Sequence, residues 1–273
     1  MIIWLASYPK SGNTLVRSMI AAYLFSNDGN YNFELIKNIK EFPHARLFTK
    51  LGFDLKNQKK NFKNYIKIQE TFNKKNSIQF LKTHSRYFNY QKKYPFTNLD
   101  NTLGVIYIVR DPRNIVTSYS KFSNLSQTDT INFMIKGTGD HLTWTDNWSE
   151  NFKSWKFFSP LNKYLLIKYE DLIQKREETF LNILKFIYRL SNSNFLLDKQ
   201  KFENVIKTTS FENMQKLEKS YGFAEANLDK KTGKKIPFFY LGPKNNWKNI
   251  LKNSSIKKIE KEFENEMIEL GYL

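Results

Sequence analysis

The hydrophobic pattern of the chain alternates between short apolar runs and stretches in which apolar residues recur at helical spacing. Runs of strand-forming residues predict strands at 2–5, 77–81, 103–109 and 163–169. Helical periodicity predicts helices at 15–23, 115–122, 179–188 and 253–270, and weaker periodicity marks 33–39 and 61–72. No internal repeat and no Pro- or Gly-rich linker interrupts this order, so we predict no domain boundary.

The loop after the first predicted strand concentrates features of an anion-binding site. It reads YPKSGNT and leads directly into a predicted helix. The first amides of a helix have no intrahelical partner, and the helix dipole adds positive charge there. Gly12 allows close backbone approach, Lys10 adds a full charge, and Ser11, Asn13 and Thr14 supply side-chain donors. The sequence predicts an anion site, with an ordinary turn and a surface lysine as the alternative.

Two candidate catalytic side chains follow the second predicted strand. Lys82 and His84 come directly after the apolar run at 77–81. In open α/β sheets, ligands bind beyond the carboxyl ends of the strands, and alternate residues point to the same side. We therefore expect both side chains on one side of such an edge. The alternative for His84 is a purely structural role.

A second strand–loop–helix sequence begins where the third predicted strand ends. Arg110 stands at the strand tip, Asp111 is placed to cap the next helix, and Pro112 suits the first turn of that helix. Ser118 lies two turns along the same helix. Because a guanidinium group matches the geometry of a phosphate dianion, Arg110 is a candidate phosphate ligand. Otherwise it is only a charge at a helix end.

Composition restricts the class of protein. The 273 residues are 40% hydrophobic and 16% aromatic, which is enough for the core of a single domain. The absence of Cys excludes disulfides and thiolate metal sites, and three His (His44, His84 and His141) leave little material for a His-rich metal site. No run of 18 apolar residues and no secretory signal occur. We therefore expect a cytoplasmic protein without a membrane span.

The net charge of +18 admits two interpretations. One is a surface that binds nucleic acid or anionic lipid. The other is a bias in residue usage, because Lys and Asn are scattered from end to end without one dense basic block. We favour the second interpretation and expect no nucleic-acid partner. A positive field would still draw a polyanionic cofactor inward.

Several segments resemble those of the sulfotransferases that use 3′-phosphoadenosine 5′-phosphosulfate (PAPS). The loop YPKSGNT lacks the G-x-x-x-x-G-K-[ST] order of a P-loop, and it is similar to the 5′-phosphosulfate loop of that family, YPKSGTTW. LKTH at 81–84 is similar to the family's KTH pattern, and YIVRDPRNIVTSYSKF at 107–122 to its 3′-phosphate segment. YEDL at 169–172, TSFENM at 209–214 and FFYLGPKNNWKN at 238–249 resemble further family segments.

The resemblance implies one domain over residues 1–273 with an α/β, P-loop-NTPase-like fold, in which helices flank a central parallel sheet. It implies transfer of a sulfuryl group from PAPS to a hydroxyl or amine of a small molecule or glycan, which leaves adenosine 3′,5′-bisphosphate (PAP). His84 would be the general base, while Lys10 and Lys82 would neutralise charge, so that no metal is required. The nucleotide would contact Lys10, Ser11, Gly12, Asn13, Thr14, Arg110, Ser118, Tyr169, Thr209, Phe211 and Gly242.

The chain departs from the family pattern at two places. Tyr240 and Leu241 replace an Arg-Lys pair that holds the 3′-phosphate, and Leu15 replaces a Trp that usually lies under the adenine. Two other classes remain as alternatives. A P-loop-like kinase or NTPase is disfavoured because Lys10 precedes Gly12, and a basic nucleic-acid-binding protein is disfavoured by the scattered charge. The acceptor and the oligomeric state stay open.

Overall fold

A computed structural model describes residues 1–73, 77–140, 142–229 and 232–273, so His141 lies outside the described residues. The chain packs as two compact units. The first unit comprises Met1–Tyr8, Asn38–Val109 and Gly137–Leu196. The second unit comprises Pro9–Lys37, Arg110–Lys136 and Leu197–Leu273. The single domain expected over residues 1–273 stays a prediction.

Each predicted strand is present, with bounds shifted by up to two residues. The strands are β1 (Ile2–Ser7), β2 (Lys40–Glu41), β3 (Gln79–Thr83), β4 (Asn89–Tyr90), β5 (Tyr94–Pro95), β6 (Thr102–Val109) and β7 (Tyr164–Lys168). The α-helices are α1 (Asn13–Phe25), α2 (Ala45–Lys50), α3 (Gln58–Phe62), α4 (Tyr65–Asn73), α5 (Pro112–Ser123), α6 (Gln127–Lys136), α7 (Trp148–Trp155), α8 (Tyr169–Gln174), α9 (Arg176–Leu190), α10 (Lys199–Thr208), α11 (Phe211–Tyr221), α12 (Asn253–Glu262) and α13 (Glu264–Glu269). Short 3₁₀ segments lie at Leu35–Asn38, Lys156–Phe158, Gly242–Lys244 and Trp247–Asn249.

A parallel sheet forms the centre of the first unit. Among the described residues its five strands follow the order β2-β3-β1-β6-β7, and every neighbouring pair runs parallel. β1 is buried along its whole length, as expected for a central strand covered on both faces. The register sets Leu5 beside Lys82 and Ala6 beside Thr83. This confirms the predicted α/β class and brings the ends of β1 and β3 to the same edge of the sheet.

Helices cover both faces of this sheet. On one face Tyr107 donates from its hydroxyl to Asn151 Oδ1 of α7 at 2.8 Å. On the other face a Cβ added to Gly104 would lie 2.3 Å from Leu190 Cδ1 of α9. Residues 104 and 107 are an odd number of positions apart on β6, so their side chains point to opposite faces. Gly104 therefore permits the close approach of α9, and the sheet is flanked by helices as predicted.

The second unit is mainly helical. In it α1 packs against α10, and α5 packs against α6 and α12. Arg113 near the start of α5 forms ion pairs with Asp111 at 2.7 Å and with Glu260 of α12 at 2.5 Å. The helix predicted over 253–270 is divided into α12 and α13 because Phe263 leaves helical geometry, with φ −114° and ψ 21°.

Within the described residues, none of the helices combines the length and the apolar character that crossing a membrane requires.

Candidate functional site

The loop before α1 has the backbone of an anion-binding turn. Lys10 and Gly12 both adopt positive φ, 66° and 101°, and Gly12 is the N-cap of α1. Among the described residues no side chain caps this end, and the first turn contains no acidic residue. The first-turn amides of α1 therefore meet no carboxylate from their own turn, and an anionic group can accept from them.

Ser11 gives a direct test of whether the loop fits a phosphate. Its side chain is fully buried, and its Oγ has no hydrogen-bond partner among the described residues. A buried hydroxyl without a partner costs stability. A phosphate oxygen would supply that partner, so the loop fits a phosphate group. Asn13 and Thr14, the first residues of α1, are also buried beside it in the chain.

Arg110 joins this loop within the second unit. Its Nη1 donates to the backbone carbonyl oxygen of Lys10 at 3.2 Å, and its side chain is mostly buried. Asp111 caps α5, as predicted, by accepting from the amide of Arg113 at 2.9 Å. Ser118 lies on α5 and is partly exposed. The structure thus brings together the loop and the guanidinium group, two features that the sequence suggested separately.

The side chain of Lys10 ends against aromatic rings. Its Nζ lies 4.2 Å from the ring centroid of Phe122 on α5 and 4.1 Å from that of Phe238. Both distances are well within the range in which a ring face attracts a cation. No local pattern predicts this contact, because the three residues are far apart in the chain.

Two other predicted nucleotide contacts, Phe211 and Gly242, also meet in the second unit. A Cβ added to Gly242 would lie 2.3 Å from Phe211 Cε2, and Gly242 has a φ of 51°. Close approach and positive φ together require Gly at this position. Thr209 differs, since its side chain is fully buried and its hydroxyl donates to the carbonyl oxygen of Val205 at 2.6 Å.

One face of α11 holds the segment 238–242 in place. Gln215 Nε2 donates to the carbonyl oxygen of Phe239 at 2.8 Å. The Glu218 carboxylate accepts from the amides of Phe238 at 2.7 Å and Phe239 at 3.0 Å. Sequence reasoning missed both polar side chains. Their spacing from Phe211, four and seven residues, places all three on one helical face and was the available signal.

A cavity of about 490 Å³ in the second unit lies beside the residues that replace the family's Arg-Lys pair. Tyr240 and Leu241 line it together with Thr117, Ser120 and Lys121 of α5. Lys121 Nζ lies 5.2 Å from the ring centroid of Tyr240. Lys121 of α5 therefore places a positive charge beside this cavity.

His84 is oriented at the edge of the sheet in the first unit. Its Nδ1 lies 2.9 Å from the carbonyl oxygen of Ser7, the last residue of β1, and 3.2 Å from Ser7 Oγ. A carbonyl oxygen can only accept, so Nδ1 carries the proton and Nε2 of the neutral ring carries the lone pair. Asn151 Nδ2 donates to the carbonyl oxygen of His84 at 3.0 Å and so supports the backbone behind the ring.

Lys82 and Tyr169 complete the predicted residues of the first unit. Lys82 lies within β3, is 8% exposed, and its Nζ is 3.3 Å from Glu41 Oε1 of β2. Its charge is therefore shared with a carboxylate. Tyr169 is the first residue of α8, directly after β7, and it is partly exposed. Within the described residues no group of three His, Cys, Asp or Glu side chains could hold a metal ion.

Comparison with known proteins adds a family. A model of the sulfotransferase domain matches residues 2–271. Luciferin sulfotransferase of Photinus pyralis is 24% identical over 225 residues, which cover 78% of this chain and 56% of that protein. Flavonol 3-sulfotransferase of Flaveria bidentis is 24% identical over 275 residues, which cover 95% of this chain and 79% of that protein. The chain thus spans little more than half of the first relative.

Solved structures share the fold. Mouse sulfotransferase SULT7A1 complexed with PAP has a TM-score of 0.60 at 19% identity, with 97% of this chain and 84% of that chain covered. Retinol dehydratase in complex with androsterone and inactive cofactor PAP has a TM-score of 0.61 at 15% identity, with 97% and 80% covered. At these identities the likeness concerns the fold.

Proposed function

Because this chain belongs to the sulfotransferase family, we propose that it transfers a sulfuryl group from PAPS to a hydroxyl group of a small-molecule acceptor. In this reaction the acceptor oxygen forms a bond to sulfur, while the bond between sulfur and the 5′-phosphate oxygen breaks and leaves PAP. The acceptor proton moves to His84 Nε2. Amine and glycan acceptors and a cytoplasmic location stay predictions.

The observation that carries the proposal is the contact of His84 Nδ1 with the Ser7 carbonyl oxygen at 2.9 Å. It fixes the tautomer in which Nε2 holds the lone pair, which is the form that a general base needs. An oriented imidazole can take a proton near neutral pH, where a hydroxyl nucleophile is otherwise protonated.

The second unit supplies groups suited to a doubly phosphorylated nucleotide. The buried Ser11 hydroxyl, the first-turn amides of α1 and the Lys10 charge fit the 5′-phosphate end. Arg110 and Ser118 are proposed to hold the 3′-phosphate, with Lys121 supplying charge beside Tyr240. Phe211, held against Gly242, offers an aromatic face for the adenine.

Charge neutralisation follows from the same residues. Sulfuryl transfer resembles phosphoryl transfer in its loose transition state, so fixed cations near the leaving oxygen lower the barrier. We assign that task to Lys10. Lys82 is the second candidate, but its contact with Glu41 at 3.3 Å already offsets part of its charge. Lys10 should therefore contribute more to the rate than Lys82.

The acceptor class is supported by the names of the relatives. Two of them are named for small molecules, luciferin and flavonol. We propose that the acceptor of this chain is a phenol or another hydroxyl compound similar in size to luciferin and flavonol. Neither relative exceeds 24% identity, so the particular acceptor must be found by experiment.

The test is a screen of the purified chain with PAPS and a panel of phenols, alcohols, amines and sugars. PAP release and the mass of the sulfated product are the two readouts. His84→Gln should lower turnover by about 10²–10⁴-fold while PAP still binds. His44→Gln, at an exposed histidine, is the matched control and should leave turnover unchanged.

Three outcomes would contradict the proposal. Turnover at the wild-type rate in His84→Gln would show that His84 is not the general base. ATP hydrolysis without PAPS turnover would support the kinase or NTPase alternative. Salt-sensitive DNA or RNA binding, without a thermal shift on adding PAP, would support the nucleic-acid-binding alternative.

A further inference from the structure

The ammonium group of Lys10 lies in a niche between two phenyl rings of the second unit. The distances from Nζ to the ring centroids are 4.2 Å for Phe122 and 4.1 Å for Phe238. The two rings are nearly perpendicular, at 89°, with centroids 6.0 Å apart. We propose that Phe122 and Phe238, the lysine clamp, are positioning residues that set where the Lys10 charge stands. This inference rests on the proposed function for its catalytic consequence.

The lysine clamp restricts a side chain that is otherwise flexible. The side chain is long and flexible, and ordering it costs conformational entropy. Ring faces attract the cation through their quadrupole, and two rings restrict it more than one. The backbone of Lys10 is also held, because its carbonyl oxygen accepts from Arg110 Nη1 at 3.2 Å. The backbone and the ammonium group of Lys10 are therefore both held in position before a nucleotide binds.

The lysine clamp is itself supported on both sides. Glu218 accepts from the amide of Phe238 at 2.7 Å, and the Phe238 ring packs on Phe223 with centroids 4.9 Å apart. On the other side Asn227 Nδ2 donates to the carbonyl oxygen of Phe122 at 3.0 Å. Phe122 also lies one helical turn beyond Ser118, a proposed 3′-phosphate ligand. The backbones of both residues and the Phe238 ring are thus held by contacts that do not involve Lys10.

The first experiment measures the geometry without any activity. The chain contains no Cys, so Lys10→Cys creates a single thiol. Alkylating it with ¹³C-labelled 2-bromoethylamine places one labelled lysine analogue at position 10. Methylene groups over ring faces resonate upfield, so the label should be shifted upfield from the free analogue. Adding Phe238→Leu or Phe122→Leu should move it back towards the free value.

Phe239→Leu is the matched control for this measurement. Phe239 packs in the same aromatic group, 5.1 Å from the Phe238 ring and 5.3 Å from the Phe223 ring. The Phe239→Leu substitution should leave the upfield shift of the label unchanged. The proposal is overturned if the ¹³C chemical shift in alkylated Lys10→Cys equals that of the free analogue. It is also overturned if neither Phe122→Leu nor Phe238→Leu changes that shift. Thermal melting of each variant verifies that it is folded.

The second experiment separates positioning from packing by kinetics on the full chain with native Lys10. Phe238→Leu should lower kcat by about ten- to a hundred-fold, because a small displacement of a catalytic group is costly, with a much smaller change in PAP affinity. Phe238→Tyr, which keeps the ring face, should recover most of that loss. Equal losses of kcat in Phe238→Leu and Phe239→Leu would indicate general packing and overturn the proposal.

The two experiments distinguish failure of the clamp from failure of the proposed function. If the native chain neither binds PAP nor turns over PAPS, the proposed function fails, and the ¹³C shift still decides whether the lysine clamp exists. If the native chain is active but Phe238→Leu changes neither the shift nor kcat, only the clamp fails.

Discussion

Arg110 donates from Nη1 to the backbone carbonyl oxygen of Lys10 at 3.2 Å, across 100 residues of the chain. The bond ties the residue after β6 to the turn before α1, and it helps to hold Lys10 at a φ of 66°, a conformation uncommon for residues other than Gly. One guanidinium group therefore shapes the loop and is also the proposed ligand of a phosphate.

Replacing Arg110 by Lys should show both roles. The charge is kept, but the planar fork and the bond to Lys10 are lost. We expect PAP affinity to fall by about ten- to a hundred-fold, the value of one or two hydrogen bonds to a charged group. Calorimetric titration with PAP measures this. Arg189→Lys, in the first unit on α9, is the control and should bind like wild type.

The orientation of His84 should depend on the backbone of Ser7 more than on its hydroxyl. Ser7→Ala keeps the carbonyl oxygen that accepts from Nδ1, so kcat should stay within a few-fold of wild type. Asn151→Ala removes the donor to the carbonyl oxygens of His84 and Thr145. It should destabilise the chain by about 1–3 kcal/mol and lower kcat. A larger loss of kcat in Ser7→Ala than in Asn151→Ala would contradict this explanation of how His84 is oriented.

Gly242 should be intolerant of any side chain because of Phe211. Gly242→Ala would place a Cβ 2.3 Å from Phe211 Cε2 and push the ring from its position. PAP affinity should fall by about ten-fold, within the range of one lost stacking contact. In Gly242→Ala/Phe211→Leu the two losses should not add, since the clash is relieved.

Gly233 provides the control for the backbone effect in that experiment. It has a φ of 68°, but a Cβ there would have no atom of the described residues within 4 Å. Gly233→Ala therefore carries similar backbone strain without a clash, and it should leave PAP affinity unchanged. Equal loss of affinity in both Ala variants would show that strain, and not Phe211, is the cause.

Stability at alkaline pH should depend on Tyr119 of α5. Burial raises the pKa of Tyr119 to about 12, above its ordinary value of 10.0. The unfolded chain loses this proton near its ordinary pKa, while the folded chain keeps it. The contribution is therefore complete below the unfolded pKa and is lost as pH rises towards the folded value. Over that window the free energy of unfolding should fall by up to about 1.4 kcal/mol per pH unit from this group.

Denaturant titrations at pH 9 and pH 11 test this dependence. Tyr119→Phe cannot ionise, so its stability should fall less between the two pH values than that of wild type. Tyr221→Phe, which removes the hydroxyl of a tyrosine that is 80% exposed, is the control for the loss of a phenol group. A slope unchanged by Tyr119→Phe would show that burial of Tyr119 is not its source.

The side chains of Thr209 and Glu218 both form hydrogen bonds with backbone groups. The resemblance of TSFENM to the family segment predicts Thr209 beside the adenosine, and this stays a prediction, while the Thr209 hydroxyl donates to the Val205 carbonyl oxygen in α10. The spacing of Glu218 from Phe211 places both on one face of α11, but it does not identify the two amides, 20 and 21 residues away, that the carboxylate binds. The Thr209 bond spans four residues and is local, whereas the Glu218 bonds span 20 and 21 residues and exist only because the fold brings segment 238–239 to α11.

The sequence by itself determined the strand–loop–helix units, the cap at Asp111 and the family, because apolar periodicity, capping and motif order are local properties of the chain. Only the tertiary structure decided that Ser7 fixes the tautomer of His84, that Phe211 requires Gly242, and that rings surround the Lys10 ammonium. The physical reason is that these contacts join residues distant in the chain. They exist only once sheet register and helix packing have brought those residues within a few ångströms of one another.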